Sequence, residues 1–155
     1  MLRTKLSDAL KVSMKAKQTR RTATLRLILA ALKDRDIAAR TEGASEGIGD
    51  EAILNMLQTM IRQRRESIEM YEKGGRADLV NQENEEIAII EGFLPKQLTG
   101  EELTAAIKAV ITKLGATTIK DMGRCMTALK ETYAGQMDFA KASGILKQML
   151  TAGGS

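Results

Sequence analysis

The chain has 155 residues, of which 43% are hydrophobic and 3% aromatic, with a formal net charge of +4 and a pI near 9.3. It contains no histidine and a single cysteine, which excludes an internal disulfide, a zinc cluster and catalysis through a histidine base. The helix-forming composition, with one proline and no long apolar run, predicts an all-α protein without a membrane-spanning segment. We expect it to be soluble and cytoplasmic and to hold neither a metal nor a cofactor.

Charge is distributed unevenly along the chain. Residues 1–40 carry 11 Lys or Arg against 3 Asp or Glu, residues 41–100 carry 6 against 12, and residues 101–155 carry 7 against 5. The basic ends could steer a polyanion toward themselves, or the basic and acidic parts could attract one another within the fold. Charge alone favours the second interpretation.

A first helix is predicted over residues 2–17. Apolar residues recur there at four-residue spacing: Leu2, Leu6, Leu10 and Met14. A basic amphipathic helix of this kind can lie on a membrane or act as an organelle transit peptide. Because Asp8 interrupts the basic face and no large aromatic side chain anchors the helix, we favour a helix packed within the fold.

The second predicted helix, residues 20–40, is apolar almost all round at its centre, residues 25–32, which places it in the middle of a bundle. Arg26, Lys33 and Arg40 recur every seven residues and therefore form a nearly straight cationic stripe. The stripe suits a phosphate backbone, although an ordinary solvated helix face is the favoured interpretation of the pattern. We include these three residues among the candidates for RNA binding.

Two more helices are predicted between a glycine-rich, mobile loop at residues 41–49 and the single proline. Asp50 offers an N-cap to the third helix, residues 51–73, and the fourth helix covers residues 76–92. The exterior of the fourth helix is acidic, with Glu83, Glu85, Glu86 and Glu91. Because the chain lacks histidine and the loop spacing of a calcium site, we interpret these carboxylates as a solvated face.

Arginines on the third helix are followed by glutamates one turn later. We predict that Arg62 pairs with Glu66 and that Arg65 pairs with Glu69, at a few tenths of a kcal/mol for each pair. This structural use is favoured over an anion site built from arginines.

Pro95 divides the chain, because proline ends a helix and pushes the preceding residue toward extended geometry. We predict an N-terminal four-helix domain at residues 1–93, a joint at residues 94–98 and a C-terminal three-helix domain at residues 99–155.

The C-terminal domain carries the start signals of three short helices. Thr99 with Glu102, and Thr118 with Asp121, have the spacing of capping boxes, and Asp138 offers an N-cap to the last helix. Short turns join the three helices.

Cys125 is the only conventional nucleophile of note. It lies in the first turns of its helix beside Arg124, where the helix dipole and a neighbouring cation would lower the pKa of a thiol. No histidine is present to act as its base, and isolated glycines such as Gly123 do not form a phosphate loop. We therefore predict no catalytic residue.

Several stretches of the chain match a known family. They are IRQRRESIEMYEKGGRADL at residues 61–79, FLPKQL at residues 93–98 and DMGRCM at residues 121–126. MKAK at residues 14–17 and LRLILAALK at residues 25–33 fit as well. Together they resemble the GatB/YqeY family over nearly the whole chain.

The resemblance implies a free-standing relative of the tail of the tRNA-dependent amidotransferase B subunit, in which the tail grips tRNA and a separate domain performs the chemistry. Lys120 and Arg124, one helical turn apart beside the family's Asp-Met-Gly element, are the candidates for RNA contact that this resemblance favours. Lys96 and Lys147 would extend the patch. The chain has Gly135-Gln136 where the family often has Gly-Arg, which removes one potential phosphate contact.

We therefore expect a non-catalytic helical module that binds tRNA, or an aminoacyl-tRNA or amidotransferase enzyme. The resemblance also implies an alternative, an amidotransferase-like activity classed as a carbon–nitrogen ligase with glutamine as amido-N-donor. A protein-interaction adaptor is the third hypothesis.

Overall fold

The computed structural model describes residues 1–153, and all regular secondary structure among them is helical. The all-α prediction is confirmed. The chain forms two compact units, one from Met1 to Pro95 and the other from Lys96 onward, so the boundary falls within the predicted joint. Positions 154 and 155, which end the predicted C-terminal domain, lie outside the described residues.

Unit 1 is built from four helices around one apolar core. They are α1 (Leu2–Lys15), α2 (Thr19–Thr41), α3 (Asp50–Lys73) and α4 (Ala77–Glu91). Helix α2 packs against each of the other three, as its apolar centre predicts. Its buried face, formed by Leu25, Ile28 and Leu32, joins Leu6 of α1 and Leu57 of α3 in the core.

Burial in α1 and α2 differs from the prediction at two positions. The exposed fraction of Met14 is 50%, and that of Leu27 is 48%. A four-residue step advances about 40° around a helix, so a row that starts at Leu2 has turned away from the core by Met14. Ser13 is buried instead, with its Oγ 2.9 Å from Thr22 Oγ1. Leu27 is exposed because α2 has one face that no other helix of unit 1 covers.

Arginines of α3 pair with α4 and not within their own helix. Arg65 Nη2 lies 3.2 Å from Glu91 Oε1, so the predicted Arg65–Glu69 pair is wrong. The other predicted pair is also wrong, since Arg62 forms no ion pair among residues 1–153. Helix periodicity places Glu66 and Glu69 within reach of these arginines but gives no information about a neighbouring helix.

A nearly buried ion pair links α3 and α4. Arg64 Nε lies 2.9 Å from Glu86 Oε2, and their side chains are 13% and 10% exposed. Arg64 Nη1 also donates to the Met60 carbonyl oxygen at 3.1 Å, and Glu83 lies 4.0 Å away. One guanidinium therefore serves two carboxylates.

Unit 2 contains three helices and a short 3₁₀ turn. They are α5 (Gly100–Leu114), the turn Ile119–Asp121, α6 (Met122–Thr132) and α7 (Phe139–Gly153). Its core is a second, separate cluster that includes Leu103, Ile107, Cys125, Leu129 and Leu146.

Two capping predictions are wrong. Thr99 is the N-cap of α5, but its side chain makes no cap hydrogen bond, and Glu102 pairs with Lys96 Nζ at 3.2 Å. Gly49, and not Asp50, is the N-cap of α3, and Asp50 Oδ1 accepts the Leu2 N–H at 3.3 Å. In both cases the carboxylate binds a group that comes earlier in the chain and does not cap its own helix.

Two other caps form as predicted. The Asp121 carboxylate accepts the backbone N–H of Thr118 at 3.1 Å and that of Thr117 at 2.9 Å, and Asp138 Oδ1 accepts the Ala140 N–H at 3.0 Å. The capping box at the 3₁₀ turn is complete. These hydrogen bonds fix the starts of the turn and of α7.

The turn before α7 holds the first residues of unit 2. The Leu98 N–H donates to the Gln136 carbonyl oxygen at 2.6 Å, and the Gln97 side chain donates to the Gly135 carbonyl oxygen. The Gly135-Gln136 pair therefore contributes backbone acceptors that hold residues 97 and 98 in place.

Candidate nucleic-acid interface

A groove of about 340 Å³ runs between α1 and α2. Arg3 and Ser7 line it from α1, and Lys33, Ile37 and Arg40 line it from α2. Lys33 and Arg40 are exposed, and neither forms an ion pair among the described residues. The groove thus presents two cations that are available to an anion.

A clamp at one side of the groove joins α1, α2 and the loop after α2. Arg3 binds the Asp36 carboxylate through both terminal nitrogens and donates to the Ile48 carbonyl oxygen at 2.8 Å. Asp36 Oδ1 also accepts the Ile48 N–H at 2.9 Å. The end of the loop that we predicted to be mobile is therefore held at Ile48.

The clamp has an electrostatic and a steric consequence. The Arg3 hydrogen bond holds the pKa of Asp36 below its usual range, and Arg40 contributes through its charge. Gly47 has a φ of +87°, and a Cβ there would collide with the Asp36 carboxylate. Only glycine fits this position, so the loop can close over the ion pair.

The cationic stripe of α2 is partly assembled into this groove. Arg26, Lys33 and Arg40 are all exposed. Lys33 and Arg40 line the groove with Arg3, whereas Arg26 is not among its lining residues. Arg3 and Ser7, which the sequence analysis missed, stand one turn apart on α1. That spacing was visible, but nothing in the sequence indicated that α1 would bring them beside Lys33.

The candidates that the resemblance favoured lie in unit 2 and have different surroundings. Lys120 is exposed in the 3₁₀ turn. Arg124 pairs with Asp121 at 3.0 Å, and its Nη1 donates to the Leu114 carbonyl oxygen at 3.0 Å, which caps the end of α5. Arg124 therefore already has a structural role, and Lys120 is the more available cation of the two.

The two remaining candidates are surface lysines. Lys96 pairs with Glu102 at 3.2 Å, with the side chains 80% and 51% exposed, so the pair contributes little to stability. Lys147 is exposed on α7 and forms no ion pair among residues 1–153.

Cys125 is fully buried in the core of unit 2. Burial raises the pKa of its thiol and outweighs the opposite effect of Arg124. The expectation of a lowered pKa is therefore wrong, because loss of hydration disfavours the thiolate more strongly than a nearby cation favours it.

The described part of the chain has neither a cluster of metal-binding side chains nor a helix able to span a membrane. No group of three or more His, Cys, Asp or Glu side chains there could hold a metal ion. None of the helices among residues 1–153 combines the length and apolar character needed to cross a bilayer.

The chain is similar to proteins of a known family. Residues 3–150 match the family model described as Yqey-like protein. The chain is 32% identical over 114 residues to "Altered inheritance of mitochondria protein 41, mitochondrial" of Eremothecium gossypii, covering 72% of this chain and 60% of the relative. The protein of that name from Lachancea thermotolerans is 32% identical over 111 residues, covering 70% and 57%. The protein of that name from Saccharomyces cerevisiae is 31% identical over 98 residues, covering 63% of this chain and 51% of the relative. The matched part thus spans between half and three-fifths of each relative.

Proposed function

Because the chain belongs to the Yqey-like protein family, we propose that it is a non-catalytic helical module that binds tRNA through the groove between α1 and α2. The observation that carries the proposal is the pair of exposed cations, Lys33 and Arg40, which share this groove and form no ion pair among the described residues. Lysine and arginine in this state are the groups that bind a phosphate backbone.

The geometry of α2 supports a backbone contact over a single small anion. Residues seven apart stand about 10.5 Å apart along a helix and almost on one line. Arg26 continues the line beyond Lys33, so the three cations can follow a chain of phosphates. Lys120 and Lys147 of unit 2 are proposed as further RNA contacts, since both are exposed.

A charge-reversal experiment tests the groove. The double variant Lys33→Glu, Arg40→Glu should bind tRNA more weakly by roughly 30-fold, at about 1 kcal/mol for each exposed contact. The matched control is Lys113→Glu, Lys130→Glu, which changes net charge equally at two exposed lysines of unit 2 that form no ion pair among residues 1–153. Filter binding at fixed salt measures both. Equal weakening by the two variants would show that only net charge matters and would reject the groove.

An enzyme acting on tRNA is the proposed protein partner, either an aminoacyl-tRNA enzyme or an amidotransferase. Tagged chain should retain this enzyme after ribonuclease treatment of the extract. Loss of the enzyme on treatment would mean that both proteins are joined only through RNA. We propose that the chain is located in the cytoplasm. The relatives named above are called mitochondrial, so fractionation of the source cells is needed to distinguish the two locations.

The proposal assigns the chain no carbon–nitrogen ligase step. The sequence has no histidine, and the Cys125 thiol is buried with a raised pKa, so neither a histidine base nor an accessible thiolate is supplied. Incubation of the pure chain with glutamine, ATP and mischarged tRNA should yield no amidated tRNA. Amidated product that requires the chain would overturn this part.

A further inference from the structure

A second groove, of about 510 Å³, lies within unit 2 between α5 and α7. Leu103 and Ala105 of α5 and Ile145 of α7 give it an apolar lining, and Lys108 and Lys141 stand beside them. We propose that this groove docks an acidic amphipathic helix of a protein partner. The inference is independent of RNA binding by unit 1.

The apolar lining calls for an apolar occupant. Leu103 is buried in the core cluster of unit 2, at 2% exposure, and the partly buried Ile145 packs against that cluster, so the floor of the groove is continuous with the core. Ala105 is exposed, and its small side chain leaves room above the helix surface. An apolar side chain that enters the groove removes area from water at about 25 cal/mol per Å². A row of leucines or isoleucines on a helix is the usual occupant of such a site.

The two lysines set the charge of that occupant. Lys108 and Lys141 are exposed, lie on different helices and form no ion pair among the described residues. Carboxylates on either side of an apolar row would therefore meet a cation from α5 and one from α7. Such complementarity contributes mainly to specificity and association rate.

The same features separate this groove from the proposed RNA surface. A phosphate backbone offers no apolar group for Leu103 and Ile145. Glu101 lies about 10 Å along α5 from Lys108, so the carboxylates of a docked helix must lie at the Lys108 end of the groove. The groove of unit 1 also has apolar lining residues, Leu29, Leu32 and Ile37. Its two cations without an ion pair stand in line on one helix, whereas Lys108 and Lys141 come from different helices. From Gly100 to Lys108 the groove is about 12 Å long, which matches roughly two turns of a docked helix.

Two synthetic peptides test the proposal on the full chain. Each is an amphipathic helix of about four turns with the same leucine row. The flanking positions are glutamate in one peptide and lysine in the other. Amide chemical shifts of the labelled chain report binding. We expect the glutamate peptide to shift the amides of Leu103, Ala105, Lys108 and Ile145, and the lysine peptide to leave them unchanged.

Charge reversal makes the test specific. The variant Lys108→Glu, Lys141→Glu should bind the glutamate peptide at least about tenfold more weakly and should gain binding of the lysine peptide. That gain also demonstrates that the variant is folded. The control Lys113→Glu, Lys130→Glu should behave as the wild type.

Four outcomes would overturn the proposal. They are no binding of the glutamate peptide, equal binding of both peptides, an unchanged preference in the reversed variant, and occupation of the groove by something else. In the last case, tRNA would shift the same amides, or the shifts would depend on protein concentration because a second copy of the chain fills the groove.

Discussion

Replacing Arg64 by methionine is expected to destabilise unit 1 by about 3 kcal/mol. Removing one partner of a fully buried ion pair costs about 3 to 5 kcal/mol, because the other charge is left without compensation. The side chains of Arg64 and Glu86 are 13% and 10% exposed, which places the cost at the lower end. Methionine keeps the apolar length of the arginine stem, so the loss reflects charge and hydrogen bonding more than packing.

The pKa of Glu83 determines how the stability deficit of the Arg64→Met variant changes with pH. Burial, followed by the charge of Glu86, raises the pKa of Glu83 above its ordinary value of 4.5. A raised pKa means that the folded state gains a proton more readily than the unfolded state, so acid relieves the repulsion. The deficit of the Arg64→Met variant should shrink as the pH falls through this raised pKa toward 4.5.

Urea unfolding measures the stability loss of the Arg64→Met variant. Hydrogen exchange of the α3 and α4 amides assigns that loss to unit 1. The urea midpoint should fall by between about 1 and 3 M. The double variant Arg64→Met, Glu86→Leu should recover most of the loss, since it removes both charges of the closer pair and leaves only Glu83, which lies 4.0 Å from the guanidinium in the wild type. The control Arg62→Met changes an exposed arginine and should cost less than about 0.5 kcal/mol. If Arg64→Met costs no more than the control, or the double variant recovers nothing, the reasoning is refuted.

Three further predictions follow from single groups. Thr24 Oγ1 is buried without a hydrogen-bond partner, so Thr24→Val should stabilise unit 1 by about 1 kcal/mol in urea unfolding, and a loss of stability would contradict this. Cys125 should react with a thiol reagent at least about 100-fold more slowly in the native state than in urea, because its thiol is buried and its pKa is raised; equal rates would place the thiol at the surface. The Arg3 hydrogen bond lowers the pKa of Asp36 from its ordinary 3.8, so its contribution is present above that pH and lost below it. The Asp36→Asn variant should therefore be less stable than the wild type at neutral pH, and the difference should vanish in strong acid.

Helix periodicity and caps predicted much of the fold, because they depend on residues a few positions apart. The all-α class, the central place of α2 and the N-cap at Asp138 follow from local patterns. Ion-pair partners on other helices could not be predicted from these local patterns. Glu91 competes with Glu69 for Arg65, and no local rule shows which carboxylate tertiary packing brings closer.

The candidate site shows the same limit. Spacing on α2 placed Arg26, Lys33 and Arg40 on one exposed face. The groove, however, depends on the clamp between Arg3 and Asp36, residues that are 33 positions apart. The prediction of a lowered pKa for Cys125 was wrong for a related reason, since the sequence shows its neighbouring cation but not its burial.

RNA binding by the groove is tested most directly by the salt dependence of tRNA binding, measured for the wild type and for Lys33→Ala, Arg40→Ala. If both side chains contact phosphates, the slope of log K against log salt should become shallower by roughly 1.4 to 1.8 in the variant. The control Lys113→Ala, Lys130→Ala should keep the wild-type slope. An unchanged slope in the groove variant, or a wild-type chain that does not bind tRNA at low salt, would contradict the claim that the groove between α1 and α2 binds RNA.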